Sequence, residues 1–212
     1  MRGKTAFKPI IAFILIAASF LLLAAEFSLP FIPSFLKLDL SAFPVLFGAF
    51  FLSPVYAVLI AAVKALLHFL LFPSSGGFAG AASFLCEMAL IFPVGIVYYI
   101  KKPKRPVFPA AFSGIACMTL TYLLCASLIT APYYQRLYGE GRFYFFCTQA
   151  NGAISDMPML FLFGMLPAAL LNGIAAISLT WAFYDPMARS FNFLGDKFEK
   201  YIFNKIFIKT VG

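Results

Sequence analysis

From residue 157 to residue 184 the chain reads MPMLFLFGMLPAALLNGIAAISLTWAFY, without one charged side chain. A spanning helix needs about 20 mostly apolar residues, within a range of about 17–25, so this run is long enough to cross a bilayer. Comparable runs lie at roughly 9–27, 54–72, 82–100 and 107–131, with a shorter one at 41–52. The breaks between them are Ser53-Pro54, Pro73 with SSGG, KKPKR at 101–105, Pro132 and Asp185-Pro186, together with a proline-rich hinge from Leu29. The spacing predicts an all-α membrane protein with six transmembrane helices in one bundle. The second helix is too short to cross alone, so its ends must be shielded by protein, because bare backbone cannot face lipid.

Composition supports this class. Hydrophobic residues are 63% and charged residues 11%, against about 45–50% and about 25% in soluble domains. The net charge is +8, but the basic residues flank spans rather than forming one face. They gather at Arg2, Lys4 and Lys8, in KKPKR, and after Arg189. That is the positive-inside pattern, and it argues against nucleic-acid binding, which calls for a basic face on a polar domain. With six spans it predicts a multi-pass protein with both termini cytoplasmic. The first apolar run follows a basic start, yet its core from Ile10 to Ala25 is long for a signal peptide, so it reads as a retained helix.

The chain divides into a membrane domain, 1–186, and a tail, 187–212. In the tail Phe191, Phe193, Leu194, Phe198, Tyr201 and Ile202 alternate with Lys197, Lys200, Lys205 and Lys209. This is a basic amphipathic helix suited to the membrane surface, or alternatively to a partner. On the other side of the membrane fall the hinge and a long loop, Pro132–Asp156. That loop carries Tyr133, Tyr134, Tyr138 and Phe143 to Phe146, either as interfacial anchors or as a lid over an apolar ligand.

Charges inside the spans need a reason, since each costs at least about 2.5–3.5 kcal/mol at a helix centre. Lys64 lies near the middle of the third span, and His68, four residues on, shares its face. Glu87 lies in the fourth span; Asp156 starts the sixth and Asn172 sits within it. Lys64 and Glu87 are expected to form an ion pair between neighbouring helices, or else to line a polar cavity; Lys64 has Asp39 as another possible partner. Cys86, Cys117, Cys125 and Cys147 have no metal or disulfide spacing and read as small hydrophobes. No GxSxG, HExxH or Walker loop is present, so neither a catalytic residue nor a metal site is expected, and the chain does not hydrolyse ATP.

The hinge supplies a resemblance. Its Pro30, Phe31, Pro33, Leu36, Asp39, Ser41, Pro44 and Leu46 are similar to the P-F-x-P-x-x-L-x-x-D-x-S-x-x-P-x-L segment between the first two helices of S components, with Leu46 one place late. S components are the substrate-binding subunits of energy-coupling factor (ECF) vitamin transporters, and the segment is that of the riboflavin type. Lys64-Ala-Leu-Leu-His68 resembles that family's K-N-L-L-H, Ala82-Ser-Phe-Leu85 its A-N-F-L, and Pro132 with Tyr134 its P-x-Y. Several polar positions depart. Ala65 and Ser83 replace asparagines, Glu87 stands where a small residue is usual, and the P-F-N-x-x-K segment reads Pro167-Ala-Ala-Leu-Leu-Asn172. A family asparagine pair falls near Ser155 and Asp156.

The resemblance implies a binder that takes riboflavin or a related flavin from outside a prokaryotic plasma membrane. It implies no cofactor, and as partners a transmembrane coupling subunit and two cytosolic ATPases. The substrate-binding residues it suggests, with the charges above, are Leu36, Lys37, Asp39, Lys64, His68, Ser83, Glu87, Asp156 and Asn172. Small residues on the first helix, Ala17, Ala18, Ala24 and Ala25, would dock the coupling subunit. The departures leave open another small vitamin or heteroaromatic precursor on the same architecture. A different class, a membrane enzyme or structural subunit built on the Lys64/Glu87 pair, also remains.

Overall fold

The computed structural model describes residues 2–71, 78–101 and 108–211. The glycine-rich turn after the third helix, and the basic loop beyond Lys101, lie outside the described residues. Helix α1, Arg2–Ala24, leads into a minimal antiparallel ribbon, β1 at Phe27–Ser28 and β2 at Lys37–Leu38. Helix α2, Ala42–Phe47, continues through a π-helical turn at Gly48–Leu52. Then come α3, Pro54–Leu71, α4, Phe78–Lys101, and α5, Phe108–Cys125. A second π turn, Ala126–Thr130, joins α5 to α6, Ala131–Tyr138. Helix α7, Glu140–Ala150, and the single turn α8, Met157–Leu160, follow. A third π turn, Phe161–Met165, opens into α9, Leu166–Val211.

Among the described residues four helical stretches are long and apolar enough to cross a membrane: Pro54–Leu71, Gly80–Val97, Ala110–Tyr138 and Met157–Phe191. Two shorter apolar ones are Lys8–Ala24 and Ala42–Leu52. The short second helix is enclosed as its length requires: Ala42, Pro44 to Phe50 and Leu52 are all buried. Large apolar side chains point outward elsewhere, among them Phe13, Val55, Leu66, Phe112, Leu120 and Leu162. Such a surface is tenable only against lipid.

Among the described residues each of the three π turns ends two residues before a proline: Leu52 before Pro54, Thr130 before Pro132, Met165 before Pro167. A proline withholds one N–H and its ring crowds the carbonyl four residues back. Widening the preceding turn moves that carbonyl aside. At the first site the helix still breaks, with Ser53 extended and its Oγ accepting the Tyr56 N–H at 3.4 Å. At the second the chain continues. The Ala131 N–H bonds Ala126 O, and Ser127 Oγ turns back to Leu123 O at 2.7 Å. The fifth span therefore does not stop at Pro132, as expected, but runs on to Tyr138. The loop expected at 132–156 is largely helical, folded back at Gly139, whose φ of 81° is a turn conformation open to glycine.

Pro186 does not end the last helix either. Tyr184 and Phe191 stack on opposite sides of that proline against the same ring, Phe51, with centroids 5.3 and 5.5 Å apart. Tertiary packing thus holds the two halves in line where propensity alone favours a break.

The bundle has two apolar clusters. One joins α1, α2, α3 and α4 around Phe47, Ile60 and Leu90. Its α4–α5 flank is tight at Gly114, where a Cβ would lie 2.6 Å from Val94 Cγ2. The other seats the hinge: Ile32 and Leu36 bury against Leu123, Phe143, Cys147, Ile154, Leu160 and Met165. Phe35 packs on Tyr134 and Phe143, with centroids 5.1 and 5.3 Å away.

Candidate functional site

Between the clusters lies a cavity of about 160 Å³ that opens at its mouth. Small-molecule sites are mostly apolar with few polar groups. Helix α1 contributes Leu23, and Glu26 just beyond its end. The hinge contributes Phe35, Leu36, Lys37 and Asp39, and α4 gives Ala82, Ser83, Cys86 and Glu87. Met118, Tyr122, Cys125, Tyr133 and Tyr134 come from the α5–α6 rod and Asn172 from α9.

A polar network forms the floor. Lys64 of α3 and Glu87 of α4 make the ion pair expected between these helices, and both are buried. Lys64 Nζ also donates to Ser41 Oγ at 2.6 Å and to Ser83 Oγ at 3.3 Å, so all three ammonium protons have partners. The two serines pass the chain on. Ser41 Oγ donates to Glu87 Oε1 at 3.2 Å, and Ser83 Oγ donates to Asp39 Oδ2 at 3.0 Å. Asp39 therefore reaches Lys64 through the serines, Ser83 and Ser41, rather than directly. Glu87 Oε2 is closed to solvent and has no hydrogen-bond donor among the described residues.

Asn172 ties the hinge to α9. Its Oδ1 accepts the Asp39 N–H at 2.6 Å, and its Nδ2 donates to Lys37 O at 3.3 Å and to Ala168 O at 3.1 Å. The side-chain amide thus bonds backbone on both sides of Leu38. At the rim, Lys37 pairs with Glu26 across the ribbon. Behind the hinge on α7, burial pushes the Cys147 thiol up to about 11.

Of the residues singled out in the sequence, Leu36, Lys37, Asp39, Ser83, Glu87 and Asn172 line the cavity. Lys64 stands behind the wall, held by the network. His68 is buried one turn further along α3, close to Gly80 of α4. Neither belongs to the lining. Asp156 is exposed and caps α8, accepting the Met159 N–H at 2.9 Å. Ser41 and Glu26 escaped notice as site residues. Ser41 stood in the hinge motif, but a serine gives no sign in sequence that it links a buried lysine to a carboxylate. Tyr133 and Tyr134 read in sequence as anchors or lid, Tyr134 also as part of the P-x-Y match, and Cys86 and Cys125 as small hydrophobes; Tyr122 carried no signal.

A helical bundle with spans apolar enough to cross a membrane and a cavity under the hinge is the build of a solute-binding membrane protein. The family model for the substrate-specific component of ECF transporters matches residues 9–184, and the chain belongs to that family. It is a transporter subunit that binds substrate rather than a cofactor, and not an enzyme, which removes the enzymatic alternative. Over 159 residues it is 26% identical to the riboflavin transporter RibU of Staphylococcus aureus (strain TCH60), covering 74% of this chain and 78% of that protein. In fold it is similar to a solved S component of a bacterial ECF transporter. The TM-score is 0.65 at 24% identity, over 90% of this chain and 98% of the other.

Proposed function

We propose that this subunit captures riboflavin, or a closely related flavin, in the cavity beneath the hinge. The observation that carries the reading is the cavity's build: an aromatic, mostly apolar wall of Phe35, Tyr122, Tyr133 and Tyr134 over a polar floor at Asp39, Ser83, Glu87 and Asn172. A flavin has the matching form, an extended aromatic ring with one hydrogen-bonding edge. The similarity to RibU supports the same ligand.

On this reading α1 and α2 complete six spans, both termini are cytoplasmic, and the hinge faces outward in a prokaryotic plasma membrane. Release inside depends on a transmembrane coupling subunit and two cytosolic ATPases. Ala17, Ala24 and Ala25 are exposed on α1 and Ala18 is half-buried. This small-residue strip is the proposed docking face; Ala17→Trp with Ala24→Trp should abolish complex assembly, and unchanged assembly would remove it. A second reading, another small heteroaromatic vitamin, is favoured by Ser83 and Glu87 in the lining, which change the hydrogen-bonding edge.

The test is the absorption spectrum of protein purified in detergent from cells grown in rich medium. A bound flavin chromophore is expected. A colourless protein that also fails to quench riboflavin fluorescence on titration would overturn the flavin reading, and mass spectrometry of the extracted ligand would then decide the second.

A further inference from the structure

We infer that Glu87 selects the ligand by accepting a hydrogen bond from it at Oε2, so that the bound molecule must present an N–H or O–H donor to the cavity floor. The inference rests on the flavin reading and deepens it. Glu87 is in the cavity wall, yet only 1% exposed. Its Oε1 takes both protein donors, Lys64 Nζ and Ser41 Oγ. Its Oε2 takes none among the described residues. A buried carboxylate oxygen left without a donor is costly, more so than a neutral group, and every proton on Lys64 is already spoken for. A donor arriving with the ligand, met by a small shift of the carboxylate that brings Oε2 to the cavity, supplies that need, and a ligand lacking one leaves the oxygen stranded. Rejection of such an analogue is steep at a site built this way.

Surrounding charge points the same way. Glu26, Asp39 and Glu87 face the cavity against Lys37, with Lys64 behind the wall. Three carboxylates against two ammonium groups leave the cavity rich in acceptors. Asp39 is itself already supplied, by the Ser41 N–H at 2.7 Å and by Ser83 Oγ, which leaves Glu87 as the unfilled acceptor.

A flavin has two sources of such a donor: the ring imide N–H and the ribityl hydroxyls. The experiment titrates the purified full chain with riboflavin, with 3-methylriboflavin, which lacks the imide proton, and with lumiflavin, which lacks the ribityl chain. The same titrations are made on Glu87→Gln. Glutamine keeps its oxygen toward Lys64 and places an amide donor where Oε2 stood, replacing an acceptor with a donor. In the wild type at least one analogue should bind tenfold or more weakly than riboflavin, and that penalty should fall below threefold in Glu87→Gln. The analogue whose penalty collapses identifies the donor. Equal binding of all three flavins by the wild type overturns the inference and needs no variant to fold. Identical penalties in both proteins also overturn it, and both results leave the flavin reading intact. No binding of any flavin to the wild type overturns that reading and this inference together.

Discussion

Asn172 Oδ1 accepts the Asp39 N–H at 2.6 Å, joining positions 133 residues apart in the chain. The amide's other end holds Lys37 O. The hinge is therefore anchored to α9 by backbone hydrogen bonds to one side chain, which behaves like a short third strand beside β2. Asn172→Leu removes both bonds and keeps the bulk. The hinge should lose about 1–2 kcal/mol of protection, so the Asp39 amide exchanges roughly 5–30-fold faster. Hydrogen–deuterium exchange of the segment 29–41 checks this, and unchanged exchange would show the hinge to be held by its apolar seat alone.

Lys64 and Glu87 form a pair whose partners depend on each other. Removing one partner of a buried ion pair costs about 3–5 kcal/mol, while replacing both with apolar groups is often neutral or better. Lys64→Met alone should sharply lower the thermal midpoint in detergent. Lys64→Met with Glu87→Leu should recover most of the loss, yet bind riboflavin at least tenfold more weakly than the wild type. A double variant as unstable as the single would mean the network's worth lies in its serines.

The α4–α5 crossing leaves no room at Gly114. A Cβ there would stand 2.6 Å from Val94 Cγ2 and 3.2 Å from Leu90 O. Gly114→Val should therefore destabilise by about 1–3 kcal/mol through overpacking. Adding Val94→Ala should return part of that, because one of the two obstacles is a movable methyl group. Thermal unfolding of the three proteins side by side gives the answer.

Cys147 is fully buried behind the hinge, with its thiol pushed up to about 11. The reactive species is the thiolate, and since the pKa is raised, that form stays scarce below about pH 10 and grows only as pH approaches 11. At pH 8 a maleimide should label Cys147 at least tenfold more slowly than a free thiol. Site-resolved mass spectrometry reads the rate. Rapid labelling at pH 8 would reveal that α7 detaches from the hinge.

The acceptor-rich cavity also sets a preference between neutral and anionic flavins. Flavin mononucleotide adds a phosphate of about −1.5 to −2 charge. It should bind at least tenfold more weakly than riboflavin, a gap that shrinks as salt rises. Fluorescence titration at two ionic strengths measures both effects.

The spans were legible because lipid imposes length and apolarity residue by residue, and the Lys64–Glu87 pair because a charge there demands a partner. Pro132 and Pro186 misled. A proline reads as a stop, and only the π turn before the first and the Phe51 stack across the second reveal why the helix continues. The site was legible where residues carry charge or belong to the hinge. Asn172 was read as a ligand contact and does line the cavity, but nothing in sequence shows that its amide also meets the backbone at Lys37 and Asp39. Asp156 attracted attention as a carboxylate, though an aspartate before Met157-Pro158 is also a plain capping signal. Ser41 and the wall residues Tyr122 and Cys125 depend on long-range packing that no local pattern records.

The last helix meets the hinge at Asn172 and the ring of Phe51 at Phe191. Nineteen residues of helix separate those points, which is about 28 Å of stiff rod. A tilt of about 5° at the hinge end would sweep the other end by about 2.5 Å over that length, enough to unseat a stacked ring. The proline at 186 sits within the clamped section, so the bend that a free helix would take there is denied to it. The hinge and the Phe51 stack are thereby fastened to the two ends of one straight rod.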